Sequence, residues 1–294
     1  MKTLKTKIKC VRLIIILLVL SYGQCIFSQS YMPTKEDLEA FFKTKTLVVL
    51  EDNPLLLYNI NIKEVVEKHW TITPFEFISF KEFEEKRVDP QYSFLLMTQV
   101  TFANDKLDAR YDFLQLLLGK NTFRVNQMPE LCSVPLCYHG VYEDSYVYKL
   151  GTLVRFIQKH MNNLKKDPGM LSSNVLEQYN KNMKNIQGKT LYLVEDELAK
   201  EVNSVARIKS VYPYKVRIVT REDIEEAINN EDENVVFLHK VGPEGTRIHA
   251  RCYKVLIGAK DGEFYYFDYH MINNKNPDGF LESDFKKLAK KQGK

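Results

Sequence analysis

Thr46-Leu-Val-Val-Leu-Glu-Asp52 returns 144 residues later as Thr190-Leu-Tyr-Leu-Val-Glu-Asp196, and this echo decides how the 294-residue chain is read. A short apolar run closed by acids predicts a strand buried on both faces, ending in a loop. Working outward, Phe77-Ile-Ser79 with Phe83-Glu-Glu85 answer Ile218-Val-Thr220 with Ile224-Glu-Glu226 at an offset of 141, and Leu116-Leu-Leu-Gly119 answers Val255-Leu-Ile-Gly258 at 139. Tyr138-His139 answers Tyr269-His270 at 131, and the helix that follows keeps that offset through Leu150/Leu281, Val154/Phe285 and Ile157/Leu288. The offsets fall in one direction, as loop-length differences produce, so the chain reads as an internal duplication.

Within each unit the periods name the elements. Ile62, Val65, Val66, His69 and Trp70 recur at helical spacing. Capping boxes at Thr34-x-x-Asp37, Ser79-x-x-Glu82 and Thr220-x-x-Asp223 open helices, and Asn174-x-x-Glu177 opens one over Asn174 to Ile186. Third strands follow at Tyr92 to Met97 and Asn234 to His239. After them come two β-rich runs joined by a loop, with Gly258-Ala-Lys-Asp-Gly262 as the hairpin of the second unit, and then a last helix. Strands joined by helices run parallel with right-handed crossovers, while a hairpin adds antiparallel strands. The expectation is an α/β protein of two tandem homologous three-layer lobes. Each is a mixed five-stranded sheet of order near 2-1-3-4-5 with flanking helices. Pro135 fits a fifth strand at a sheet edge. Lys165-Lys-Asp-Pro-Gly169 marks the boundary, giving lobes at 29–168 and 169–294.

The charge is +4, but residues 1–28 hold Lys2, Lys5, Lys7, Lys9 and Arg12 and no acid, which leaves 37 basic against 38 acidic side chains in the remainder. The basic stretch runs into Leu13-Ile-Ile-Ile-Leu-Leu-Val-Leu20 and then polar residues, the layout of a secretory signal peptide. Even from Leu13 to Phe27 the segment is shorter than the roughly 20 apolar residues of a membrane-spanning helix. Cleavage after Ser28 is expected. The alternatives are an uncleaved anchor, in which case the segment is the chain's contact with the membrane, and lipidation at Cys25, which the bulky Gln24 opposes. The location expected is periplasmic, envelope-associated or extracellular. A near-neutral mature chain argues against nucleic acid, and Lys286, Lys287, Lys290, Lys291 and Lys294 suit the carboxyl end of a helix.

Chemistry has several candidates. Glu51, Asp52, Glu195 and Asp196 end the first strand of each unit, where open α/β sheets bind ligands. The following residues contain no glycine, so a phosphate-cradling loop, a nucleotide and any cofactor of that kind are not expected. His139 and His270 follow the fifth strands, and Cys137 shares a strand face with His139; these are the candidate catalytic groups. No metal is expected, although His239, His249 and His270 with Asp268 offer zinc-type ligands without a recognised spacing. Cys132, Cys137 and Cys252 survive signal removal, and a continuous strand separates Cys132 from Cys137 by about 16 Å, too far for a bridge. Phe264-Tyr-Tyr-Phe-Asp-Tyr269 has aromatics on both faces, so Tyr265 and Tyr269 are either core or a platform for a glycan or extended peptide. Walker, dinucleotide, Gly-x-Ser-x-Gly, His-Glu-x-x-His and Cys-x-x-Cys motifs are absent from the sequence. The expectation is an exported envelope protein acting as a non-catalytic binding or assembly module whose partner is an envelope protein, peptide or glycan. The alternative is a hydrolase-like cleft enzyme built on the strand-end histidines and acids.

Overall fold

A computed structural model describes residues 32–102, 109–172, 174–245 and 249–292. The expected signal segment, 1–28, lies outside them. In the first lobe α1 (Lys35–Phe41) leads to β1 (Lys45–Leu50), α2 (Leu57–His69), β2 (Phe75–Ser79), α3 (Phe80–Lys86), β3 (Tyr92–Thr101), β4 (Arg110–Leu118), β5 (Glu130–Tyr138) and α4 (Leu150–Lys166). The second lobe follows with α5 (Val175–Asn180), β6 (Thr190–Leu193), α6 (Val205–Val211), β7 (Val216–Ile218), α7 (Arg221–Asn229), β8 (Val235–Val241), β9 (Arg251–Gly258), β10 (Phe264–Met271) and α8 (Glu282–Gln292).

The sheets have the orders β2-β1-β3-β4-β5 and β7-β6-β8-β9-β10. The first three strands of each pair in parallel and the last two antiparallel, which is the expected tandem α/β architecture. The hydroxyls of Thr34, Ser79 and Thr220 accept from the third helical amide, while Asp37, Glu82 and Asp223 reach back to the cap amide. These local signals therefore end β2 and β7 where the sequence says they should. The expected helix over Asn174 to Ile186 is instead α5 followed by a 3-10 stretch, Lys181–Ile186.

The duplication is shown, but its register differs from the one read in the sequence. Thr46 N donates to Pro74 O and Leu191 N to Lys215 O, so Thr46 is the counterpart of Leu191, one residue away from the 144 offset. The packing agrees: Val48 faces the cluster of Tyr58 and Ile62 from α2, and Leu193 faces that of Ile208 from α6. A strand apolar on both faces does not mark which face is which, so the two runs match equally well one residue apart. Carried across the ladders, Cys137 lies opposite Asp112 as His270 lies opposite Cys252. His270 therefore corresponds to Cys137, not to His139.

The lobes meet through unlike faces. On the first sheet α1, α2 and α4 cover one face and α3 the other, where Phe83 meets Phe94 edge-on at 5.1 Å. On the second, α6 and α8 cover the face equivalent to that of α2 and α4. Its opposite face receives α7 together with α4 of the first lobe, so one buried cluster spans both lobes. The β9–β10 turn lies directly on α4: Gly262 has φ +61°, and a Cβ there would stand 2.7 Å from Thr152 O and 2.8 Å from Phe156 N. Gly262→Ala is expected to cost about 2–4 kcal/mol, combining backbone strain with a clash against helix backbone. Gly188, at φ +92° with nothing within 4 Å of an added Cβ, supplies the control. Its alanine variant should lose only about 1 kcal/mol, and urea midpoints that do not separate the two variants would refute the close approach.

Candidate functional site

The carboxyl end of the first sheet gathers several expected residues. Asn59 of α2 accepts from Glu51 N at 2.9 Å and donates to Glu51 O and Asn53 O at 2.9 and 2.8 Å, so an amide side chain shapes the glycine-free turn after β1. Asp112 of β4 accepts at 3.0 Å from His139 Nδ1, and the Cys137 thiol donates to it at 3.7 Å. The His139 side chain is 42% exposed and that of Asp112 12%, an imidazole oriented by a nearly buried carboxylate. Burial, then the charges of Asp112 and Asp52, push the Glu51 carboxyl up. Burial and Asp112 also push the Cys137 thiol up, which disfavours its thiolate form. All three cysteines of the lobes are free and buried, and Cys132 and Cys137 lie on one strand, β5, with a bulge at Leu136 between them.

At the second sheet the strand-end acids have other partners. Arg221 bridges Asp196 at 3.1 Å and Asp144 of the first lobe at 3.6 Å, and Glu195 and Asp196 line a shallow depression of about 550 Å³. His270 is not with them: its Nε2 donates to Pro277 O at 2.8 Å. His239 Nε2 donates to Pro135 O at 2.8 Å, Asp268 accepts from Lys287 and Tyr266, and His249 is a surface residue at φ +64°. His239 and His270 serve separate partners and His249 stands at the surface, and among the described residues no group of three or more His, Cys, Asp or Glu is placed to hold a metal ion.

The larger concavity is a groove of about 840 Å³ on the α3 face of the first sheet, beside the end of the second. Leu96, Phe113 and Leu117 form its floor, with Tyr253, Phe267 and Tyr269 as a wall. Phe80 and Leu176, both exposed, stand at the rim. One polar patch interrupts the floor: Gln115 donates to Glu130 at 2.8 Å and to Ser133 at 3.0 Å. Thr98 Oγ1, also on the lining, is buried without a hydrogen-bond partner among the described residues. The aromatic strand thus divides. A bulge between Phe264 and Tyr266 turns Tyr265 into the second core, while Tyr269 stays 45% exposed on the groove. Arg251 stacks over Phe102 at 3.8 Å and over Tyr269 at 5.0 Å, stiffening that wall.

Of the sequence candidates, Glu51, Cys137 and His139 come together around Asp112, Glu195 and Asp196 line the depression, and Tyr269 lines the groove. Asp112, Gln115 and Glu130 were not singled out by sequence. Their only signal is a polar side chain inside an otherwise apolar strand. Compared with known protein families, with curated proteins and with solved structures, the chain matches none.

Proposed function

We propose that the chain is an exported, non-catalytic binding module of the cell envelope, made of an amino-terminal signal and the two lobes, whose ligand lies in the groove. The observation that carries this reading is the groove itself: a concave apolar floor with exposed aromatic rims and a few polar groups, the character of a ligand site. The Asp112–His139 pair favours the second reading, a hydrolase-like enzyme, because a carboxylate-held imidazole is the orienting half of a general base. Against it, the Cys137 thiol is buried with its thiolate form disfavoured, and the groove lining includes neither Glu51 nor His139.

Photo-cross-linking in the exporting cell tests the proposal. A benzophenone side chain at Leu176 or Phe80 is expected to give a discrete adduct, and one at the exposed Lys209 none. A mature terminus at Gln29 by mass spectrometry is the expected companion result. Adducts of equal yield at all three positions would overturn the binding site, and an intact Met1 would overturn cleavage.

A further inference from the structure

Among the described residues, the unlike faces through which the lobes meet leave a groove beside α3 on the first sheet. On the second sheet, Ile257 and Phe264 lie under α4 of the first lobe: Phe156 stacks flat on Phe264, ring centres 3.5 Å apart and planes at 4°. Arg155 donates to Ala259 O at 2.7 Å and Lys159 pairs with Glu263. In the first sheet the ladder Phe94–Leu117–Glu130 stands where Phe237–Ile257–Phe264 stands in the second. Tyr92 and Val235 hold the same register against Lys45 and Thr190, which makes those positions equivalent. Leu117 and Glu130 line the groove. The groove is therefore the first lobe's counterpart of a surface that, in the second lobe, a helix covers.

Resting on the reading of the groove as the binding site, we infer that it receives an amphipathic α-helix of a partner protein. That helix is apolar along one stripe and carries a basic residue where α4 carries Phe156. The apolar stripe answers Leu96, Phe113 and Leu117, and the basic residue answers Glu130, which replaces Phe264 at the centre of the seat. A second copy of this chain docking through α8 does not fit. In the second lobe α8 holds the place of α4, and its outward residues Ser283, Lys286, Lys287, Lys290 and Lys291 are exposed and offer no apolar side chain to the floor.

The test uses the full mature chain with labelled peptides. One copies Leu150–Lys166 with Phe156→Lys, one is the unchanged segment, and one copies Glu282–Gln292. Saturable binding of the Phe156→Lys peptide is expected, at least about tenfold tighter than that of the lysine-faced peptide, with a gain of helical signal. Glu130→Gln should weaken the Phe156→Lys peptide about tenfold and leave the unchanged peptide unaffected, because only the charged contact is removed. Leu176→Glu should weaken both, and unaltered thermal midpoints show that each variant folds. Binding of the apolar dye 1-anilinonaphthalene-8-sulfonate, sensitive to Leu176→Glu, with no binding of either α4-derived peptide, would overturn the helix and leave the groove a small-ligand site. No binding of dye or peptides would overturn both. A head-to-tail oligomer in sedimentation that Leu176→Glu dissolves would make the occupant a second copy and overturn the partner helix.

Discussion

Lys149→Met is expected to cost about 3–5 kcal/mol of unfolding free energy, enough to threaten the whole chain, whereas Lys149→Met with Glu197→Leu should recover most of it. Lys149 stands just before α4 in the first lobe and Glu197 follows β6 in the second. Their side chains are 0% and 9% exposed, and Nζ lies 2.7 Å from Oε1. Burial, with the charge of Asp196, raises the Glu197 carboxyl, and Lys149, with Lys240 behind it, opposes that rise. Removing the lysine strands a carboxylate between the lobes, while removing both groups leaves a void that an apolar pair can fill. Urea unfolding of the two variants beside the parent measures this. A single variant within about 1 kcal/mol of the parent would mean that water reaches the pair.

Acid is the second strong lever. Burial, then the charge of Lys149, pushes His239 down to about 3, and burial pushes His160 down to about 4. In the unfolded chain both protonate near 6.5, so below that pH the unfolded state binds more protons and stability falls with falling pH. The stabilisation is complete above pH 6.5 and is lost as pH drops toward the folded values. From pH 6.5 to 5 each histidine contributes a loss of about 1.6 kcal/mol. Glu51 and Glu197, raised by burial, act in the opposite sense, so the clean quantity is the difference between the parent and His239→Gln. The variant keeps a donor for Pro135 O and should show a mean slope shallower by about 1.1 kcal/mol per pH unit in this range. Parallel slopes for parent and variant would refute the buried neutral imidazole.

Strand order was legible because it is encoded locally. A capping box after Ile78 or Val219 ends a strand and starts a helix whatever the rest of the chain does. Register was not legible, because Leu47-Val-Val-Leu50 and Leu191-Tyr-Leu193 are apolar on both faces and align equally well one residue apart. The site divides along the same line. Tyr269 is visible as part of an aromatic run, and His139 as a histidine at a strand end. Gln115 and Glu130 gain meaning only when one knows that, among the described residues, α3 covers part of their face of the sheet and leaves them lining a groove. Asp112 gains its meaning from a partner just past the end of the next strand, 27 residues away. Such facts belong to packing between elements, which hydrophobic period does not record.

The polarity of the stack also sets an order of assembly in time. α4, which covers the apolar face of β9 and β10 formed by Val255, Ile257 and Phe264, lies at the carboxyl end of the first lobe, so synthesis from the amino terminus delivers it before those strands emerge. The first lobe can close its own sheet and then act as a template on which the second is laid down strand by strand. Reversing the order of the two halves in the gene would release Val255, Ile257 and Phe264 into solvent ahead of their cover, and would turn a vectorial folding route into an aggregation hazard.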